Sequence, residues 1–155
     1  MILSARGRYA VMAMVDLALK CNGKPVCLSD ISKCQEIPLP YLEQIFCKLR
    51  KSELVKSVRG PGGGYQLNRP SSEICIADII VAVEEPIKMT RCETSTSGCM
   101  TPKTRCVTHD LWEGLGNQIY DFLSSISLED VCTGKMKAKF PPTPIPIEID
   151  FAGLN

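Results

Sequence analysis

Three cysteines and the chain's one histidine form a regular series: six residues separate Cys92 from Cys99 and Cys99 from Cys106, and His109 lies three beyond Cys106. Thiolates are soft ligands and imidazole a borderline one, so the set suits an iron–sulfur cluster or a zinc ion. Structural zinc sites usually contain a short C-x2–4-C pair, because one tight turn then orients two ligands. This series has no such pair, and its wide spacing suits the larger span of a cluster. Zinc and redox-active thiols stand as the alternatives. Packing alone rarely places cysteines at equal intervals beside a lone histidine.

Six further cysteines complete a total of nine. An odd number cannot all pair within one chain. The opening Met1-Ile-Leu-Ser-Ala-Arg6 lacks a basic segment followed by an apolar core, so no secretory signal is read there. The longest apolar stretch, Tyr9 to Leu19, is interrupted by Asp16 and is too short to cross a bilayer. A cytoplasmic, reducing location and no membrane partner are therefore expected, and a disulfide framework is not. Cys21, Cys27, Cys34, Cys47, Cys75 and Cys132 are accordingly read as small packing residues.

The elements that position the series follow from periodicity. Ser4 is placed to cap a first helix running to about Lys20, apolar nearly all round. A short helix is expected after Ser29, and a third with Pro40 at its first position, where a missing N–H costs nothing. Leu42, Ile45, Phe46 and Leu49 recur at helical spacing and form its buried stripe. Leu54–Val58 and Tyr65–Asn68 read as strands around Arg59-Gly-Pro-Gly-Gly-Gly64, a hairpin tip nearly without side chains. Another helix spans about Ala77 to Val83. A long one from about Asp110 to Ser125 carries Leu111, Leu115, Ile119, Phe122 and Ile126, with Trp112 and Leu123 beside them. So long an apolar stripe on a small domain invites a partner helix. The fold class expected is mainly α with a small β-hairpin, a winged helix-turn-helix domain plus a long dimerisation helix. The domains expected are the winged helix-turn-helix over 1–85, a cluster-binding loop over 86–109, the dimerisation helix over 110–132, and a proline-rich, disordered tail over 133–155.

The formal net charge is only +1, yet Tyr41 to Arg69 holds six cations (Lys48, Arg50, Lys51, Lys56, Arg59, Arg69) against Glu43 and Glu53, a local +4. A basic patch on an otherwise neutral chain suits phosphate contact. The wing tip Gly60, Gly62 and Gly63, followed by Tyr65, can approach a DNA backbone closely. Arg59 at its base is suited to the minor groove, where negative potential concentrates. Nucleotide binding by the same glycines would require them to open a helix, and the sequence after them is strand-like.

Arg6-Gly-Arg-Tyr-Ala10, Tyr41-Leu-Glu-Gln44, Val58-Arg-Gly-Pro-Gly-Gly-Gly-Tyr65 and Cys106-x-x-His109-x-Leu-Trp112 together resemble the IscR family of bacterial iron–sulfur cluster regulators, over roughly Met1 to Val131. The resemblance implies a homodimeric winged-helix repressor or activator that binds double-stranded DNA at pseudo-palindromic operators and controls cluster-assembly genes. It implies a [2Fe–2S] cluster on Cys92, Cys99, Cys106 and His109, with the cluster selecting operators rather than enabling binding. It also places Tyr41, Glu43, Gln44 and Arg59 at DNA-reading positions, Glu43 discriminating between operator classes. Lys48, Gly60, Gly62, Gly63 and Tyr65 complete the expected DNA contacts. Two features depart from the family pattern. Each interval between cysteines is one residue longer, and Pro38-Leu-Pro40 stands where the family tends to have serines. Two other classes compete: a winged-helix repressor sensing zinc or thiol oxidation, and an enzyme or electron carrier. Against the last, the sequence has no second histidine, no cofactor fingerprint and no catalytic pair.

Overall fold

The computed structural model describes residues 5–83 and 107–136. Cys92, Cys99, Cys106, Ser4, and the tail from residue 137 lie outside the described residues. The elements are α1 (Ala5–Lys20), α2 (Leu28–Gln35), α3 (Leu39–Lys51), β1 (Val55–Val58), β2 (Gly64–Leu67), a 3-10 turn over Ser71–Glu73, α4 (Ile76–Val83), α5 (His109–Ser124) and α6 (Leu128–Cys132).

Helix α1 places Ala10, Ala13, Met14 and Leu17 at helical spacing, all fully buried. Small residues here let α4 pack close, and α4 answers with Ile76, Ala77, Ile79, Ile80 and Val83, all buried. The side of α1 away from α4 is less apolar in practice than its composition implies, since Met12 and Leu19 are exposed. One charge enters this core. Asp16 is buried, and its carboxylate accepts from Lys20 Nζ at 2.7 Å and from Gln35 Nε2 at 3.2 Å. A buried carboxylate requires such partners, and Gln35 thereby clasps the end of α2 to α1.

Helices α2 and α3 form the expected helix-turn-helix. The turn is Glu36-Ile37-Pro38, with Glu36 in the left-handed region at φ 54°. The Ile37 N–H returns to the Ser32 carbonyl at 3.2 Å, and Ser32 Oγ donates to the Ile37 carbonyl at 2.6 Å. Two boundaries differ from expectation. Cys27, not Ser29, occupies the N-cap of α2, because Val26 is tied into the sheet and Leu28 must reach the core. Pro38 is the N-cap of α3 and Pro40 its second residue, still within the turn whose N–H groups lack helical partners.

The hairpin pairs Val55 with Leu67 through Val58 with Gly64 in antiparallel register. Its tip closes through a 2.9 Å bond from the Gly63 N–H to the Gly60 carbonyl, around Pro61-Gly62. Gly62 has φ +74°, as the third position of a type II turn demands. Val26 joins the edge of this two-stranded sheet as a single bridge to Tyr65, with bonds of 2.9 and 2.8 Å. A side chain at Gly64 would collide with the Val26 carbonyl, so glycine is what admits this close approach.

The C-terminal piece returns to the same core. Cys75 bridges Ser127, the Ile76 N–H reaches the Ile126 carbonyl at 2.9 Å, and the Leu128 N–H reaches the Ile74 carbonyl at 2.8 Å. Ser127 and Asp130 form a capping box that starts α6. Ile126, read in the sequence as the end of the apolar stripe, lies beyond α5 and is buried in this core. The six cysteines outside the series divide as well. Cys21, Cys47, Cys75 and Cys132 are partly buried, whereas Cys27 and Cys34 are exposed and are not packing residues.

Candidate nucleic-acid interface and metal centre

On α3 the buried stripe (Leu42, Ile45, Phe46, Leu49) fixes which residues turn outward. Glu43 and Gln44 are exposed. Tyr41 is half-buried, its ring set edge-on against Tyr9 with centroids 5.8 Å apart. Lys48, expected among the DNA contacts, is half-buried, and its Nζ donates to the Val83 carbonyl at 2.9 Å. That bond joins the recognition helix to the last turn of α4, where an ammonium also suits the helix dipole.

In the wing, Arg59 and Gly60 are exposed, and Gly62 and Gly63 form the tip. Tyr65, expected among the DNA contacts, packs its ring on Phe46 at 4.9 Å and its backbone against Val26. Its visible role is to fix the wing to α3. Around these residues Arg50, Lys51, Lys56 and Arg69 are exposed, and so are Arg6 and Arg8 at the start of α1. The cations outside the motifs were legible only as local charge, since no spacing distinguishes them.

The second site is where α5 begins. His109 is its first residue and is only 3% exposed. Its Nε2 lies 3.9 Å from Glu113 Oε1, one turn along the helix. One ligand atom from each of His109, Asp110 and Glu113 falls within 4.8 Å of the others. Glu113 was missed in the sequence reading, though its i, i+4 spacing from the histidine was available. Immediately beyond, the same helix turns Leu111, Trp112, Leu115, Tyr120 and Phe122 to solvent. On α5 only His109 and Gly116 are buried.

A hairpin wing behind a helix-turn-helix is shared by many regulators, so sequence similarity decides the family. The family model Rrf2, described as an iron-dependent transcriptional regulator, matches residues 3–134. The chain belongs to the Rrf2 family. A relative from Photorhabdus laumondii, the HTH-type transcriptional regulator IscR, is 53% identical over 131 residues, covering 84% of this chain and 79% of the relative. Among solved structures, T. potens IscR superposes with a TM-score of 0.72 at 36% identity, covering 92% of this chain and 94% of that one. CymR, the global cysteine regulator of B. subtilis, superposes with a TM-score of 0.71 at 31% identity, covering 86% and 98%. The Rrf2 fold and its winged helix are thus the chain's own, and it is a transcription regulator. Among the described residues no helix is long and apolar enough to cross a membrane.

Proposed function

We propose that the chain is a cytoplasmic homodimer that binds pseudo-palindromic operators and selects among them according to the state of a [2Fe–2S] cluster, thereby controlling cluster-assembly genes. The observation that carries this reading is the position of His109. It is a buried imidazole at the junction of the cysteine series with a helix whose apolar face is exposed. The donor set of three thiols and one imidazole fits such a cluster, and the similarity to IscR proteins supports it. When bound, the cluster supplies metal–ligand bonds that oxidation or iron loss can break, and so a signal.

The chain's own residues do the rest. His109, with Cys92, Cys99 and Cys106, holds the site at the head of α5. The exposed Leu111, Trp112, Leu115 and Phe122 pack against a second copy and set the spacing of the two DNA-binding halves. Gln44 and Tyr41 read base edges, and Arg59 enters the minor groove at the wing, with Gly60, Gly62 and Gly63 close to the backbone. Glu43 accepts from cytosine N4 and disfavours other acceptors, which makes it the selective element. Lys48 ties α3 to the end of α4 through the Val83 carbonyl.

The test is the visible spectrum of anaerobically purified protein, with iron and acid-labile sulfide assayed on the same sample and operator binding compared with and without the cluster. Charge-transfer bands, roughly equal iron and sulfide, and a changed operator preference are expected. A colourless protein that cannot be reconstituted and carries zinc instead would replace this reading with a zinc or thiol sensor.

A further inference from the structure

An imidazole that ligates a metal offers one ring nitrogen, and the group accepting the other N–H decides which nitrogen that is. The position of that acceptor therefore bears on how His109 faces its site. Helix α5 begins at His109, so Glu113 stands one turn on and on the same side of the helix. Glu113 Oε1 is 3.9 Å from Nε2, the nitrogen farther from the backbone, and the imidazole is buried while the glutamate side chain is 47% exposed. An exposed glutamate has the rotamer freedom to close that separation to hydrogen-bond length; the buried ring does not. Asp110 has its own explanation as the acidic residue in the first turn, where the helix N-terminus favours negative charge.

We infer that Glu113 is a positioning residue for the metal centre: it holds the Nε2–H of His109, so that Nδ1 is the nitrogen presented to the cluster. This rests on the cluster reading above and deepens it. A carboxylate on the outer N–H fixes tautomer and ring orientation and makes the imidazole a stronger donor. An amide oxygen at the same place still accepts the bond without the charge, and a methyl group does neither.

The experiment exploits the chain's single histidine, because labelled histidine then reports on one residue alone. Full-length protein carrying histidine 15N-labelled at Nδ1 or at Nε2 is loaded with cluster, reduced, and examined by pulsed electron paramagnetic resonance. Strong hyperfine coupling is expected from Nδ1 and weak, remote coupling from Nε2. The reverse pattern overturns the assignment while leaving the cluster intact. In parallel, Glu113→Ala is expected to weaken cluster retention about tenfold and to alter the remote-nitrogen coupling, with Glu113→Gln restoring most of the retention. Alanine and wild-type proteins with equal retention and identical coupling would overturn the role of Glu113. Protein without iron, sulfide or a reduced-cluster signal would instead remove the cluster reading and this inference with it.

Discussion

In the winged-helix body the apolar side chains are spent inward: Met14, Leu17, Leu42, Phe46 and Leu49 are fully buried. Along α5 the same residue types turn the other way, with Leu111 at 64%, Trp112 at 44% and Phe122 at 43% exposure. Both regions have strong helical periodicity, so pattern alone does not distinguish them. The difference lies in what each stripe meets. The body's helices find one another within the chain, and α6 folds back to join them. Helix α5 has no element of its own chain over most of its apolar face among the described residues. The body covers its apolar side chains within the chain, and α5 leaves its own exposed.

Four experiments break or sharpen that contrast. Phe46→Ala removes a fully buried ring that also supports Tyr65 and the wing; it is expected to lower unfolding free energy by about 4 kcal/mol in a urea titration. A loss below about 1 kcal/mol would mean the body is less tightly packed than its burial indicates. Leu115→Glu combined with Phe122→Glu is expected to weaken self-association at least about 100-fold, about 2.7 kcal/mol. Far-ultraviolet circular dichroism should be preserved. Sedimentation equilibrium checks it, and a variant that still dimerises would take α5 out of the interface. Arg59→Ala is expected to lower affinity for every operator by about 1–2 kcal/mol and to reduce the salt slope by about one. Dimerisation should not change, which separates the two halves functionally. An unchanged slope in a binding titration would remove Arg59 from the contact.

The smallest effect concerns thiol reactivity within the body. The Ser29 hydroxyl donates to Cys27 Sγ at 3.1 Å and, with the Ser29 backbone N–H, holds that thiol below the usual cysteine range. Burial pushes Cys75 and Cys132 the other way. Cys27 therefore has the larger thiolate fraction at any pH below the ordinary thiol value, and it is exposed. Iodoacetamide at mildly alkaline pH is expected to modify Cys27 several-fold faster than Cys75 or Cys132 by peptide mapping. Equal rates would return Cys27 to the packing class.

What could be read from the sequence was whatever repeats. The stripe of Leu42, Ile45, Phe46 and Leu49, the glycine hairpin and the apolar run of α5 each carry a period or a turn signal, and each forms. What escaped depends on neighbours distant in the chain. Lys48 looked like one more cation of the basic patch, because its partner Val83 is 35 residues away. Tyr65 looked like a wing contact, but its position is set by Phe46 and Val26. The start of α2 moved because strand pairing at Val26 fixes where the chain is free to coil. Cys27 and Cys34 were assigned to packing by residue type, and type does not specify which side of a helix end is covered. At the candidate metal centre only spacing was legible, and the i, i+4 step from His109 to Glu113 lies at the same local range.

The main-chain tie between Ile74–Ile76 and Ile126–Leu128 gives α5 a mechanical character. It fastens the C-terminal base of the helix to the start of α4 by two backbone hydrogen bonds, while the other end is seated by the buried ring of His109. Sixteen residues make a rod about 24 Å long. A tilt of about 5° about the fastened base would carry the His109 end about 2 Å, comparable to the helix shifts that repack subunit interfaces. The displacement of a tilted rod grows with distance from its fastened end and is smallest beside the body. The exposed Leu111 and Trp112 stand at the long end of that lever, so they answer most to any tilt of the helix.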